Sequence, residues 1–282
     1  MTDSYEELVL GDLDGDGKSE VVLLKINREE FSAKAQVFKH SDKSMKLLDE
    51  IPTEYVNGYI KTFIGQVTQD KIGLLLDSGV GAHSGLTELL LLENGKLKKV
   101  SFGEEDDNLA FKPYMTCSED IDGDGILEIS TLRPVAGYED ASMAGTVWVT
   151  VWYKWDGASD LVQVEEGYAN YEDGYYFRFP AKWGQEITID RQEYGAKDRW
   201  TNFGYIDGTT KRPLFTINTF SREQWDKMKK VSEDNIVQYA EVAKGLTRVY
   251  VVHWEDSQGD LKTGKMQLDL EEIKTGLKLI EN

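Results

Sequence analysis

Two copies of one short acidic pattern constrain this chain more than any other feature. The first copy runs from Asp12 to Glu20 and the second from Asp120 to Glu128. Each places carboxylates at positions 1, 3, 5 and 9 of a nine-residue stretch, with glycines at positions 4 and 6. Alternate aspartates of a curled loop can turn their oxygens toward one centre, and glycine permits the curl because it reaches backbone angles closed to other residues. A centre of about six to eight oxygen ligands suits a hard cation, above all calcium. We therefore expect two calcium sites.

The expected ligands occupy five positions of each loop. Positions 1, 3, 5 and 9 supply carboxylate oxygens, and position 7 supplies a backbone carbonyl, which is why any side chain is tolerated there. The first set is Asp12, Asp14, Asp16, Lys18 and Glu20, and the second is Asp120, Asp122, Asp124, Ile126 and Glu128. The alternative is an acidic, glycine-rich turn that binds no metal. Repetition of the whole ligand pattern disfavours that alternative.

The loops match only the opening of an EF-hand calcium loop. An EF-hand also needs a bidentate glutamate at position 12 and a helix on either side. Position 12 is Leu23 in the first copy and Thr131 in the second. The segments that follow the loops, residues 21–24 and 129–132, are short and rich in β-branched residues, which favour strands. Each loop is therefore predicted to join two strands.

A third, degenerate copy lies between the two acidic loops. Residues 64–76 show the same strand-loop-strand pattern, but the ligand positions hold Gln66, Thr68 and Asp70. The copy begins halfway between the acidic loops, so the implied period is 54 residues. Repeats of that length are typical of propellers and solenoids. Further strand candidates in each period, such as residues 86–92 and 146–155, predict an all-β repeat domain over residues 1–165.

Three features resemble the FG-GAP repeats of integrin-type β-propellers. They are the acidic loop between two strands, the interval at which the loop repeats, and the hairpin signal Trp155-Asp156-Gly157. The resemblance covers roughly residues 4–165. It implies a calcium ion on the rim of each blade, with a mainly structural role. Closed propellers have about four or more blades, and three repeats are too few. Either further blades lie upstream of this sequence, or the repeats form an incomplete propeller of differently packed, blade-like repeats, and we expect the second.

The repeat pattern stops after Gly157, and residues 166–282 are predicted to form a second domain. A capping box at Ser221–Gln224 predicts a helix immediately after it. Apolar residues at helical spacing predict that the chain ends in an amphipathic helix. These residues are Met266, Leu270, Ile273, Leu277 and Ile280.

The second domain resembles PsbP-like domains in residues 175–183, in the strand candidate 214–217 and in the helix after it. This resemblance implies an antiparallel sheet covered by helices. The predicted fold class is therefore α+β: an all-β repeat domain followed by an α/β sandwich. The whole chain resembles envelope lipoproteins of Gram-positive bacteria, and this resemblance implies no catalytic residues. We expect the second domain to carry recognition through exposed members of an aromatic set. The set is Tyr168, Tyr171, Trp183, Tyr194 and Trp200.

The amino-acid composition limits which binding partners and which cellular locations are expected for this protein. The formal charge of −19, from 32 basic and 51 acidic residues, disfavours nucleic acid because phosphates would be repelled. No run of about eighteen apolar residues is present, so no transmembrane segment is expected. Calcium loops of extracellular modules have dissociation constants of about 10⁻⁴–10⁻³ M, which cytosolic calcium would not fill. We therefore expect an extracytoplasmic protein, in the cell envelope or secreted, whose leader has been removed ahead of Met1.

A second candidate site is the polar loop of residues 78–85, in which Ser78, His83 and Ser84 are candidate ligand-binding residues. Its glycines do not fit a phosphate-binding G-x-G-x-x-G loop, and an ordinary hairpin is the alternative.

Two classes of function fit these patterns. The first is a non-catalytic, calcium-stabilised binding or scaffold protein whose partner is a protein or carbohydrate at the cell surface. The alternative is an accessory hydrolase that acts on envelope polysaccharide. A concave groove with two buried carboxylates of shifted pKa would favour the hydrolase.

Overall fold

The computed structural model describes residues 4–41, 44–102, 110–192, 195, 199–232, 239–254 and 261–280. These residues form nineteen strands in four antiparallel sheets, with only three α-helices and two 3₁₀ turns. The α+β prediction is therefore wrong, because the chain is mostly β. None of the helices among these residues is long and apolar enough to cross a membrane.

The chain divides into two compact units. Unit 1 comprises residues 1–132 and 151–164, and unit 2 comprises residues 133–150 and 165–282. This division differs from a single cut at residue 165 because residues 133–150 group with the C-terminal part.

The first sheet of unit 1 contains four strands in sequential order, joined by short connections. The strands are β1 (Glu7–Gly11), β2 (Glu20–Asn27), β3 (Ser32–Ser41) and β4 (Ser44–Thr53). The first acidic loop joins β1 to β2, as predicted. Alternate residues of the central strands are buried, among them Val22, Leu24, Ala35 and Val37, so one face of this sheet is apolar.

The second sheet of unit 1 is buried on both faces. Its strands are β5 (Gly58–Gln66), β6 (Ile72–Val80), β7 (Ser84–Glu93) and β8 (Lys96–Lys99), and β9 (Phe111–Lys112) pairs with β7. Leu74 and Leu90 pack with the apolar face of the first sheet. Leu75 and Leu89 project to the opposite face and pack with Ile129 and Trp155. Burial on both faces explains why β6 and β7 contain continuous leucine runs instead of alternating residues.

The third sheet has the order β10, β11, β12, β13, β19. Its strands are β10 (Ile129–Pro134), β11 (Trp148–Trp155), β12 (Leu161–Asn170), β13 (Tyr175–Arg178) and β19 (Leu277–Leu279). The boundary between the two units passes within β10, β11 and β12. The second acidic loop ends immediately before β10, and its ends are joined by a bridge between Glu119 and Glu128.

The fourth sheet belongs to unit 2 and has the order β14, β15, β16, β18, β17. Its strands are β14 (Ile187–Arg191), β15 (Trp200–Asp207), β16 (Thr210–Ser221), β17 (Ala240–Lys244) and β18 (Arg248–Trp254). Short 3₁₀ turns lie at Met143–Gly145 and Gly184–Glu186. The core of unit 2 is aromatic: the rings of Phe203 and Phe215 stack at 5.0 Å.

The helices of unit 2 are short: α1 (Arg222–Ser232), α2 (Leu261–Met266) and α3 (Leu270–Gly276). The predicted capping box precedes α1, since the Ser221 hydroxyl accepts from the Gln224 N–H at 3.2 Å and the Gln224 side chain accepts in return. The predicted terminal helix is wrong. Of its apolar residues, Met266 ends α2, Leu270 and Ile273 lie on α3, Leu277 lies on β19, which pairs with β13, and Ile280 follows that strand. At Gly276 an added Cβ would lie 3.0 Å from the Arg178 carbonyl oxygen, so the chain leaves the helix where two backbones approach closely.

The aromatic set chosen for recognition is divided by burial. Tyr168 and Trp183 lie in the core of unit 2, Trp200 is half-buried and Tyr171 is exposed. Tyr194 lies outside the described residues.

Candidate metal centres

Both acidic loops have the same backbone conformation. The two glycines of the first loop, Gly15 and Gly17, have φ of +74° and +84°, and Gly123 and Gly125 of the second loop have +80° and +86°. An added Cβ at Gly17 or Gly125 would meet nothing within 4 Å. The glycines are therefore required for their left-handed backbone and not for lack of space.

Each loop closes on its own carboxylates through matching hydrogen bonds. Glu20 Oε2 accepts from the Leu13 N–H at 2.9 Å, and Glu128 Oε2 accepts from the Ile121 N–H at 2.8 Å. The first aspartate of each loop accepts from the second glycine, with N···O distances of 2.8 Å in the first loop and 2.9 Å in the second. These hydrogen bonds hold the carboxylates in place without a bound metal ion.

Three carboxylates converge in each loop. Oxygens of Asp12, Asp14 and Glu20 lie within 4.8 Å of one another, and so do oxygens of the group Asp120, Asp122 and Glu128. The two glutamates are completely buried.

One oxygen in each glutamate lacks a well-aligned hydrogen bond. These oxygens are Glu20 Oε1 and Glu128 Oε1, and the buried Oδ1 of Asp12 is also without one. A buried carboxylate oxygen is costly unless a donor or a cation compensates it, and at each glutamate oxygen a lysine ammonium, 3.1 Å away in the first loop and 3.3 Å away in the second, provides that cation. Donor sets that contain only oxygen suit calcium. The residues present therefore fit the expected ion.

Two predicted ligands in each loop lie outside these groups. Asp16 and Asp124 are not among the converging carboxylates. Each accepts a hydrogen bond from the N–H at position 7, which belongs to Lys18 in the first loop and Ile126 in the second. The role of these four residues as ligands stays a prediction.

A lysine from a neighbouring strand reaches into the first loop. Lys39 lies on β3, and its Nζ is 2.6 Å from Asp14 Oδ2, 2.7 Å from Asp16 Oδ2 and 3.1 Å from Glu20 Oε1. The register of β2 and β3 pairs Val21 with Phe38, so Lys39 lies directly opposite Glu20.

The second loop has an equivalent lysine on β11. Lys154 Nζ is 2.8 Å from Asp122 Oδ2, 2.5 Å from Asp124 Oδ2 and 3.3 Å from Glu128 Oε1. Sequence reasoning missed both lysines. Lys39 lies 27 residues after Asp12 but Lys154 lies 34 residues after Asp120, so no fixed spacing marks them.

The lysines change the electrostatics of both loops. Hydrogen bonds to Asp14 and Asp16 raise the pKa of Lys39 well above its usual value. In return, the hydrogen bond from Lys39 lowers the pKa of Asp16. Burial opposes the charge of Lys154, but its hydrogen bonds to the carboxylates of the second loop outweigh burial and raise its pKa. The ammonium groups therefore stay charged and offset part of the loops' negative charge.

The degenerate middle loop lacks both the buried glutamate and the lysine. In the first loop, Gly11 before the loop pairs with Glu20 after it. In the middle loop, Gly65 pairs in the same way with Gly73, so Gly73 occupies the position of the glutamate. The register of β6 and β7 places Leu91 opposite Gly73, where the first loop has its lysine. An added Cβ at Gly73 would lie 2.5 Å from Leu89 Cδ1, so this position has no room for a glutamate.

The second candidate site is a hairpin between β6 and β7. Ser78 is buried within β6, and its hydroxyl has no hydrogen-bond partner. Ser84 begins β7 and donates to the Pro113 carbonyl at 3.4 Å. His83 is exposed in the turn, beside the ring of Tyr114. The three residues thus differ in burial, and their role in binding a ligand stays a prediction.

A buried ion pair lies beneath this hairpin, and sequence reasoning did not find it. Lys112 and Asp77 are each 1% exposed, and Lys112 Nζ lies 2.7 Å from Asp77 Oδ1. Thr87 and Ser118 donate to the same carboxylate. Because every member is enclosed, the network is structural: it attaches the short strand β9 to the second sheet.

Comparison with known proteins gives no family for this chain. No protein-family model matches it. No curated protein matches it either.

Proposed function

We propose that this chain is a non-catalytic calcium-binding protein of the cell envelope or the secreted fraction, in which two ions stabilise the β repeats. The observation that carries the proposal is the duplicated convergence of three carboxylates, one of them from a completely buried glutamate, in two loops of the same conformation. A single acidic turn could arise from composition alone in a chain of charge −19. Two loops with the same ligand pattern, the same glycine conformations and matching hydrogen bonds are better explained by a shared ligand.

Asp12, Asp14 and Glu20 would hold one ion, and Asp120, Asp122 and Glu128 the other, with the further loop residues completing each set. A calcium ion supplies charge that offsets the loop carboxylates and ties two strands together at their ends. Two ions would bring +4 against the net charge of −19. The loops lie at strand connections, and the metal's role is therefore structural.

The extracytoplasmic location follows from the affinity expected of such loops. Extracellular calcium modules bind with dissociation constants of about 10⁻⁴–10⁻³ M, a range suited to calcium outside the cytosol. The likeness of the loops to FG-GAP repeats supports the same placement. The partner is a protein or a carbohydrate at the cell surface, bound by a surface other than the loops.

The hydrolase alternative gains no support from a groove on the first sheet of unit 1. This groove of about 880 Å³ is lined by residues of β2, β3 and β4 and of the segments next to these strands, and its carboxylates are Glu6, Glu29, Glu30 and Glu50. Hydrogen bonds from Gln36 and Lys34 lower the pKa of Glu50, whereas a general acid requires a raised pKa. The carboxylate pair that would favour a hydrolase is not found among these groove residues.

Isothermal titration calorimetry with calcium tests the proposal. We expect two sites per chain in the wild-type protein and one site in Asp122→Ala. Asp70→Ala, in the degenerate middle loop, is the matched control and keeps both sites. Absence of binding up to about 10 mM calcium, well above the range of extracellular modules, would contradict the proposal.

A further inference from the structure

We propose that Lys39 and Lys154 are tethered cations that occupy the position of the metal in each loop and leave it when calcium binds. This inference rests on the proposed calcium-binding function, and it adds the residues that set affinity and hold the loops together without metal.

The geometry places each ammonium among the atoms that would ligate the ion. Lys39 Nζ lies 3.1 Å or less from Asp14, Asp16 and Glu20. Two of these three, Asp14 and Glu20, belong to the converging carboxylates. Calcium–oxygen distances are about 2.3–2.6 Å, so an ion on the same oxygens would lie almost where the ammonium lies. Two cations cannot share that space, and one must leave.

The second loop repeats the arrangement independently. Lys154 Nζ contacts Asp122, Asp124 and Glu128 within 3.3 Å. Its strand, β11, follows β10 as β3 follows β2, and in both cases the lysine meets the buried glutamate at the end of the loop. The number of residues between the loop and its lysine differs in the two copies, yet the lysine makes the same contacts. The position of the lysine on the neighbouring strand, and not the local sequence, therefore brings the ammonium to the carboxylates.

The middle repeat supplies an internal control. Where the glutamate is replaced by Gly73, the opposite residue is Leu91 and not lysine. Leu91 is buried in the apolar cluster with Leu75 and Leu89. Lysine and carboxylates are therefore present together or lost together, as expected if they form one site.

Each lysine has a route out of its loop. The side chains of Lys39 and Lys154 are 23% and 21% exposed, whereas the glutamates they meet are completely buried. An extended lysine side chain at the surface can swing into solvent without opening the core. Without calcium, the ammonium offsets the buried glutamate; with calcium, the ion takes over and the lysine is released. The expected cost of displacement is weaker calcium binding.

The test compares calcium affinity and thermal stability of Lys39→Met and Lys154→Met with the wild-type protein. Methionine, one atom shorter than lysine, keeps an unbranched side chain of similar shape and removes the charge. We expect each variant to bind calcium about tenfold more tightly at the affected loop, equivalent to about 1.4 kcal/mol. Without calcium, each variant should melt at a lower temperature than the wild type, and saturating calcium should remove most of that difference.

Two controls separate displacement from a general change in charge. Lys34→Met removes a lysine from the same strand, β3, whose Nζ lies 3.0 Å from Glu50. Five residues of strand place it about 17 Å from Lys39, beyond the screening length of about 8 Å at physiological salt. Lys34→Met should leave calcium affinity unchanged. Lys39→Arg keeps the charge and should bind calcium as weakly as the wild type.

The outcomes distinguish this inference from the proposed function. If the wild type and both methionine variants bind calcium with equal affinity, the proposed exchange of lysine for calcium is wrong, and the calcium-binding function stands. If the methionine variants bind calcium and the wild type does not, the ammonium excludes the ion instead of exchanging with it, and both the exchange and the proposed function of the wild-type loops are wrong. If none of the proteins binds calcium, the proposed function fails and the exchange fails with it. A loss of stability in Lys39→Met that is the same with and without calcium would also overturn the exchange.

Discussion

The acidic loops and the degenerate middle loop occupy equivalent places between paired strands, yet they stabilise those strands by different means. At the end of the acidic loops, a buried glutamate faces a lysine from the next strand. At the same place in the middle loop, Gly73 and Leu91 contribute to an apolar cluster. The same backbone position is thus filled by a charge cluster at the outer repeats and by leucine packing at the middle repeat.

The difference follows from the surroundings of the three repeats. At Gly73 the second sheet is buried, and the side chains of Leu89 and Val67 fill the space that a glutamate would need. The outer acidic loops keep partly exposed aspartates and lysines, so their charges remain close to solvent. We therefore expect substitutions at the outer loops to depend on calcium and substitutions at the middle loop to be indifferent to it.

Removal of the buried glutamate should have the largest effect. Glu20→Ala deletes the acceptor of the buried Leu13 N–H and leaves Lys39 without one of its three carboxylates. An unsatisfied buried group and a broken ion pair together cost about 3 kcal/mol. Urea unfolding measures this loss. Asp70→Ala in the middle loop, an exposed position, should change the free energy of unfolding by less than about 0.5 kcal/mol. Equal losses in the two variants would remove the distinction between the loops.

Filling the middle position should have the next largest effect. In Gly73→Ala the new Cβ would lie 2.5 Å from Leu89 Cδ1 and 3.1 Å from Val67 Cγ1. Overpacking of this kind costs about 1–3 kcal/mol. Gly58→Ala, on the neighbouring strand β5, is the control because its Cβ would meet no atom closer than 3.9 Å. A Gly73→Ala protein as stable as Gly58→Ala would show that the leucine cluster can yield at this position.

Removal of calcium should destabilise the outer repeats by a smaller amount. At ten times the dissociation constant, each ion contributes about 1.4 kcal/mol. Hydrogen exchange in the presence of a chelator should therefore accelerate at amides of β2 and β10, next to the loops. Amides of β15 and β16 in unit 2 should exchange at the same rate with and without the chelator. Acceleration of both sets to the same extent would mean that the ion does not act locally.

The smallest expected effect concerns acid. Hydrogen bonds from Lys39 and Lys154 lower the pKa of Asp16 and of Asp124 below 3.8. Because the folded pKa is lowered, the associated stability is present above the unfolded pKa and is lost as pH falls through the folded pKa, below 3.8. Carbon-detected NMR titration of the calcium-free protein measures both values. In Lys39→Met the pKa of Asp16 should rise toward its usual range while that of Asp124 stays low; a simultaneous change at both would indicate a general charge effect.

The local chemistry of the loops was accessible from the sequence, and the long-range contacts were not. The glycine positions predicted a curled loop between strands, and the positive φ of Gly15 and Gly17 agrees with that expectation. The lysines were missed because their contacts depend on strand register, which places Lys39 opposite Glu20. The pairing of Lys112 with Asp77 was missed for the same reason.

The helical prediction failed for a different reason. Apolar residues at helical spacing from Met266 to Ile280 can also be divided among two short helices and a strand. Only the pairing of Leu277 with Phe177 decides between these possibilities, and that pairing spans a hundred residues of chain. Periodicity alone therefore overestimated the helical content of unit 2.

A crystal structure of the protein grown with about 5 mM calcium would show the ions and both lysines in one experiment. We expect an ion in each acidic loop, bound by oxygens at about 2.3–2.6 Å, with the ammonium groups of Lys39 and Lys154 withdrawn from Asp14 and Asp122. The middle loop of the same crystal, with Gln66 and Thr68, should hold no ion and serves as the internal reference. Well-ordered acidic loops in which both lysines keep their contacts and no ion is bound would contradict both calcium binding and the displacement of the lysines.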